Sequence, residues 1–226
     1  MGLPRFAVVD VETSGLSFSR HRVLQLAVIT VEADGTVVDE WSTLVALRHR
    51  WSRVGPTHVH GLTRRSLKDA PAIDDVLDEL ARRLDGSLFT AHNARFDGEF
   101  LLRAARRRSD AALAASLERR LCTLRMSRRL DPDRVLSHRL ADVAERYGVE
   151  LVNAHDAAAD AAATAEVLPH LIAAHGVTDA ADLDPFLDRP LPRRGPVERA
   201  RRRVRRWTRR FRSSPPASAE PVVGRQ

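Results

Sequence analysis

The chain has 226 residues, 43% of them hydrophobic, with one cysteine and a formal net charge of +7 at pH 7. That is enough length and apolar content for one domain with a buried core, and the single cysteine, Cys122, excludes an intramolecular disulfide and points to a reducing compartment. The charge is uneven: residues 1–188 hold 24 Lys+Arg against 28 Asp+Glu (net −4) and residues 189–226 hold 13 against 2 (net +11), so a mildly acidic body carries a strongly basic tail.

Met1-Gly2-Leu3-Pro4 leads straight into a first strand without leader features. RFAVVDVE, residues 5–12, is β-branched and apolar, which predicts a buried strand. Strands over 22–32 and 36–47 follow, joined by the tight-turn pair Asp34-Gly35. The apolar stretch Val23–Val31 is too short to cross a bilayer, so the reading is a soluble cytoplasmic protein. RHRWSR, residues 48–53, reads either as a solvated loop or as a site where Trp51 stacks on a base among arginines.

Further along, apolar spacing at Val76, Leu77, Leu80, Ala81 and Leu84 predicts a helix over 72–85, stopped by Gly86. A short strand at 87–91 leads into a helix over 94–107 with Phe96, Phe100, Leu101 and Ala104 on its apolar stripe. A helical piece over 109–117 and a strand over 120–124 come next. Ser137 reads as the cap of a helix that turns Leu140, Val143, Ala144 and Tyr147 inward and closes at Gly148. The alanine-rich segment 156–174 is the last helix of the body. A three-strand meander followed by β-α units fits an α/β fold, a mixed five-stranded sheet flanked by helices. The domain is expected to span 1–176, a linker 177–197, and an Arg-rich tail 198–226.

Chemistry concentrates in three short segments. Asp10 and Glu12 stand at i and i+2 of the first strand, hence on one face. Two buried like charges are costly, and a cation removes the cost; the alternative is an exposed edge carboxylate plus a cap for the turn at Ser14-Gly15. Asp97 lies in the first turn of its helix, where any carboxylate is favoured by the positive end. His155 precedes, and Asp160 opens, the alanine-rich helix. Singly these residues are ordinary. Together they are the oxygen-rich set that holds Mg²⁺ or Mn²⁺, with a histidine suited to take a proton near neutral pH.

In this order and spacing, Asp10-Val11-Glu12-Thr13-Ser14-Gly15, His92-Asn93-Ala94-Arg95-Phe96-Asp97 and His155-Asp156-Ala157-Ala158-Ala159-Asp160 resemble the three motifs of the DnaQ-like 3′→5′ exonucleases, the histidine-bearing branch of the DEDD superfamily. The resemblance covers about residues 5–175. It implies an RNase H-like fold and two divalent ions per site. Asp10, Glu12 and Asp160 would hold the ion carrying the attacking water, Asp10 and Asp97 would support the second, and His155 would be the general base. It also implies substrate-side roles for Thr13, Asn93 and Phe96, and for Leu16 as an apolar wedge at the terminal base; a loop residue packed on the core is the other reading of Leu16. His60-Gly61-Leu62-Thr63 resembles the family's H-G-I-T segment, equally compatible with a plain turn. Thr13, where oligoribonucleases usually carry methionine, argues against a dedicated dinucleotide-clearing enzyme.

The implied activity is removal of 5′-mononucleotides from the 3′ ends of single-stranded DNA. RNA trimming, or an accessory role in a polymerase or repair complex, are the other readings. In the tail, Ala200, Val204, Trp207 and Phe211 would share one face of an arginine-flanked helix over 198–212, before a segment 213–226 expected to be disordered. That tail suits a solubilising extension, nucleic-acid tethering, an anionic membrane surface or a partner groove.

Overall fold

The computed structural model describes residues 2–49 and 51–191; the expectations for Arg50 and for the tail beyond 191 lie outside the described residues. The chain runs through β1 (Arg5–Thr13), β2 (Val23–Val31), β3 (Val37–Leu44), α1 (Thr57–His60), α2 (Ile73–Leu84), β4 (Ser87–Ala91), α3 (Ala94–Arg107), α4 (Ala111–Ser116), β5 (Arg120–Cys122), α5 (Thr123–Arg129), α6 (Leu140–Arg146), α7 (Ala157–Ala174), a 3-10 turn (Asp184–Phe186) and β6 (Leu187–Asp188). The strand order across the mixed sheet is β3-β2-β1-β4-β5-β6. β1 pairs antiparallel with β2 and parallel with β4, which pairs parallel with β5.

Strand alternation divides β1 between two cores. Ala7, Val9 and Val11 face the side covered by α2 and α3; Phe6 and Val8 face α7. The alanines of α7 let its axis approach the sheet closely, with Ala157, Ala161 and Ala165 buried against it. Asp10 and Glu12 continue the even-numbered face, so the strand delivers both toward the start of α7.

Four expectations need correction. The sheet has six strands, because Leu187 and Asp188 pair antiparallel with Leu121 and Arg120. The segment read as a linker from 177 instead packs Val177, Leu183 and Phe186 into the core on the α7 side. Ser137 does not cap α6, whose N-cap is Arg139; its hydroxyl donates to Asp142 in the first turn instead. The strand read over 120–124 stops at Cys122, and Thr123 begins the helix α5. Among the described residues no helix is long and apolar enough to cross a membrane.

Candidate active site

β1 outruns its neighbour. β4 pairs only with residues 5–8 of β1. The free edge beyond is met by α3: the Val11 N–H donates to Asp97 Oδ1 at 3.2 Å. Asp97 is 3% exposed. The turn that aims it begins at Asn93, in the left-handed region with φ 72°, where asparagine is better tolerated than most residues. The Phe96 N–H then donates to the Asn93 carbonyl at 2.7 Å. Gly98 follows because a side chain there would meet the Arg120 guanidinium at 2.4 Å.

Arg120 is fully buried and was not visible as a site residue in the sequence. Its Nε donates to the Leu117 carbonyl at 2.5 Å and its Nη1 lies 3.4 Å from Glu99 Oε1. This cation sits behind the acids. Burial pushes the Asp97 carboxyl up to about 7, against the pull of backbone hydrogen bonds, including that from Val11, and of Arg120.

The other acids are also driven toward their neutral forms. Burial, then Asp97, Asp160 and Glu12, hold Asp10 well above the usual carboxylate range. Burial, then Asp160 and Asp97, push Glu12 up to about 8. Asp160 is raised by burial, offset by a hydrogen bond from the His155 backbone and by the His155 charge. Ligand atoms of Glu12, His155 and Asp160 all lie within 4.8 Å of one another. The structure brings these three into one grouping and sets Asp10 and Asp97 beside it, close enough to repel.

α7 begins with an N-cap built for the purpose. Asp156 accepts from the Ala158 and Ala159 N–H groups at 3.0 and 3.3 Å. Gln25, on β2 opposite Glu12, donates to Asp156 Oδ2 at 3.0 Å and accepts from Ala157 at 3.4 Å. This tie locks the start of α7 to the sheet. Its signal in the sequence is Gln25, an amide side chain in a β2 run that is otherwise apolar but for Thr30. His155 sits just outside, exposed, with φ 70°; its N–H points to Asp160 Oδ2 at 3.4 Å.

The remaining predicted residues frame the opening. Thr13 is buried and donates to the Gly15 carbonyl at 3.0 Å, tightening the turn after β1. Leu16 stands at the tip of that turn, 81% exposed. Phe18 anchors the loop, its ring 5.1 Å from Phe100 and 6.0 Å from Phe96. Phe96 therefore supports the loop from beneath. Gly55 touches the same turn, where a side chain would meet the Ser14 carbonyl oxygen at 2.4 Å. His60 is buried, accepting the Leu62 N–H at Nδ1 at 3.0 Å, and Gly61 closes its short helix with φ 68°. Trp51 is 79% exposed. His92 takes no part in the acidic group. Its ring nitrogens lie 3.0 Å from Thr123 Oγ1 and 3.0 Å from the His138 carbonyl, so Nε2 carries the proton. Burial pushes it down to about 4 and keeps it neutral.

Among the described residues Asp160 Oδ1 is buried with no hydrogen-bond donor. An orphaned carboxylate oxygen amid three mutually repelling acids fits a hard divalent cation, which takes oxygen ligands. A concavity of about 490 Å³ beside Arg129, His175 and Phe186 shares no residue with this group. Glu12 and Asp160 are half-buried and His155 is exposed, so this group reaches the surface.

An exonuclease family model matches residues 7–168. The PolC-type DNA polymerase III of Staphylococcus saprophyticus is 33% identical over 160 residues, 71% of this chain and 11% of that protein. The PolC-type enzyme of Caldanaerobacter subterraneus is 32% identical over 163 residues, 72% and 11%. The chain thus spans about a ninth of the length of these relatives. Among solved structures, E. coli exonuclease I in complex with a dT13 oligonucleotide superposes with TM-score 0.64 at 20% identity over 75% of this chain and 41% of that one. A zinc-bound form of the E. coli exonuclease I–single-stranded DNA complex gives 0.67 at 20% identity over 77% and 42%. Cell-death related nuclease 4 gives 0.60 at 15% identity over 76% and 65%. These likenesses share the fold.

Proposed function

The chain belongs to the DnaQ-like exonuclease family, a nuclease of the hydrolase class, and from that premise we propose that it shortens single-stranded DNA from the 3′ end, releasing 5′-mononucleotides. The observation that carries this reading is the grouping of Glu12, His155 and Asp160 within 4.8 Å beside the half-buried Asp10 and the buried Asp97.

Mg²⁺ or Mn²⁺, two per site, would be held by Asp10, Glu12, Asp97 and Asp160, and when bound would lower the pKa of water and neutralise charge on the scissile phosphate. His155, exposed at the rim, takes the proton from the attacking water. The water oxygen bonds to phosphorus in line with the bond to the 3′ oxygen of the preceding nucleotide. That bond breaks, and the departing 3′ oxygen takes a proton from solvent, so the shortened strand leaves with a new 3′ hydroxyl. Thr13 and the turn it tightens hold Leu16 against the terminal base, and Asn93 and Phe96 keep Asp97 aimed. His60 and Gly61 shape the facing wall, and Trp51 offers a stacking platform.

The exonuclease I complexes with single-stranded DNA support the substrate class. The PolC-type relatives support an association with a DNA polymerase, and the basic tail offers a surface for it. The test uses a 5′-labelled single-stranded DNA and its RNA counterpart, with Mg²⁺, with EDTA, and with Asp10→Ala. A one-nucleotide ladder on DNA, lost with EDTA and with the variant, is the expected result. A ladder on RNA alone transfers the reading to RNA trimming, and no ladder on either removes it.

A further inference from the structure

Helix α3 carries a second pattern besides its core face. Phe96, Phe100, Arg103 and Arg107 recur at spacings of four, three and four, which aligns them along one side of the helix. The first half of the stripe is aromatic and covered by Phe18. The second half is cationic. The Arg103 guanidinium lies 5.7 Å from the Phe18 ring centroid, and Arg107 is exposed.

A third arginine joins from the loop just before β2. Arg22 is exposed and its backbone is bonded twice to the turn after β1. The Ser14 N–H donates to the Arg22 carbonyl at 2.9 Å, and the Arg22 N–H donates to Ser14 Oγ at 3.0 Å. The three cations are close enough to feel one another. Partial burial and then the charges of Arg22 and Arg103 hold Arg107 below its ordinary value.

Acids do not balance them. Among the described residues neither Arg22 nor Arg107 has a carboxylate within ion-pair distance. Arg103 lies 3.7 Å from Glu99, a carboxylate that also faces Arg120 at 3.4 Å. Last-turn arginines at Arg106 and Arg107 complement the negative end of α3. That accounts for neither Arg22 nor Arg103. Clustered like charges repel unless an anion lies between them, and guanidinium groups match phosphate oxygens in pairs.

Building on the exonuclease reading, we propose that Arg22, Arg103 and Arg107 form a phosphate-binding patch that grips the substrate strand upstream of its 3′-terminal nucleotide. Asp97 marks the reacting end of the same helix. Arg103 and Arg107 lie ~9 and ~15 Å further along its axis, a span that an extended strand crosses in a few nucleotides. The patch borders the turn whose tip carries Leu16, so the terminal nucleotide and the upstream backbone meet adjoining parts of one surface.

The test is a salt titration of binding in EDTA, with fluorescein-labelled oligothymidylates of about three and about ten nucleotides, lengths spanning one patch. Each lost phosphate contact flattens the slope of log K against log salt by about 0.7 for a single strand. Arg22→Gln/Arg107→Gln is expected to flatten it by about 1.4 and to shrink the affinity gain from short to long strand at least ~5-fold at low salt. Arg107→Glu alone shifts both readouts the same way. Arg82→Gln/Arg119→Gln, which removes two charges elsewhere on the surface, keeps the wild-type slope. A wild-type protein that shortens the strand in Mg²⁺ while the Arg22/Arg107 variant keeps the wild-type slope and length gain overturns this patch alone. A wild-type protein that neither binds nor shortens either strand overturns the exonuclease reading and the patch with it.

Discussion

The two halves of the candidate site are held in opposite ways. Asp10, Glu12 and Asp97 sit on β1 and α3, buried or half-buried, with Asp97 fixed by the Val11 N–H and backed by the buried Arg120. His155 stands in a left-handed turn, exposed, with a 3.4 Å backbone contact to Asp160. The acids gain their position from the sheet and lose stability by it, because each raises the others' affinity for protons. The histidine is exposed and its backbone makes one long hydrogen bond to the acids. A buried, charged cradle with an exposed proton acceptor at its rim is the division that metal-assisted hydrolysis needs.

Breaking the buried half should have the largest effect on turnover. Asp10→Asn removes a carboxylate from the cradle and should lower exonuclease turnover by about a thousandfold or more, since a cation's charge stabilisation amounts to several kcal/mol. Single-turnover rates on a labelled oligonucleotide measure it. His155→Ala, at the exposed rim, should cost roughly 10²–10⁴-fold in turnover and leave the melting temperature near that of wild type. If His155→Ala melts several degrees lower, the picture of an exposed rim residue fails.

The pH dependence sharpens the same contrast. Glu12 and Asp97 are raised to about 8 and about 7 in the folded chain, against roughly 4 in an unfolded one. The folded state therefore binds more protons across that window. The stability contribution is full below the unfolded value and is lost as pH rises through the folded one. In EDTA the melting temperature should fall between about pH 5 and pH 8. With Mn²⁺ it should instead hold or rise, because cation binding needs the deprotonated carboxylates. The smallest effect belongs to the rim: Trp51→Ala should weaken oligonucleotide binding by ~1–3 kcal/mol if a base stacks there, and an unchanged anisotropy titration removes that role.

The sequence spoke clearly where local chemistry decides. β-branched runs set β1 and β2, the i, i+2 spacing set the shared face of Asp10 and Glu12, and Asn93 and Gly61 sit where the backbone turns left-handed. It was mute where partners are distant. Gln25 stands out locally as a polar residue within β2, but its partner Asp156 lies 131 residues away and nothing local names it. Arg120 reads as one more surface arginine, yet Glu99 and the Leu117 carbonyl draw it into the core. β6 is two residues long, Leu187–Asp188, too short for any alternation to register. Ser137 has the residue type of a cap, but its hydroxyl takes a side-chain partner in Asp142.

The most direct measurement is a thermal melt at pH 8 of wild type and Asp10→Asn, each in EDTA and in Mn²⁺. In EDTA the variant should melt above wild type, because the cost of placing that ionisable carboxyl among the other acids is gone, and Mn²⁺ should raise wild type well above its metal-free value while moving the variant much less. Wild type melting above Asp10→Asn in EDTA and indifferent to Mn²⁺ would mean that these acids are satisfied within the protein, and the account of a cation cradle would be wrong.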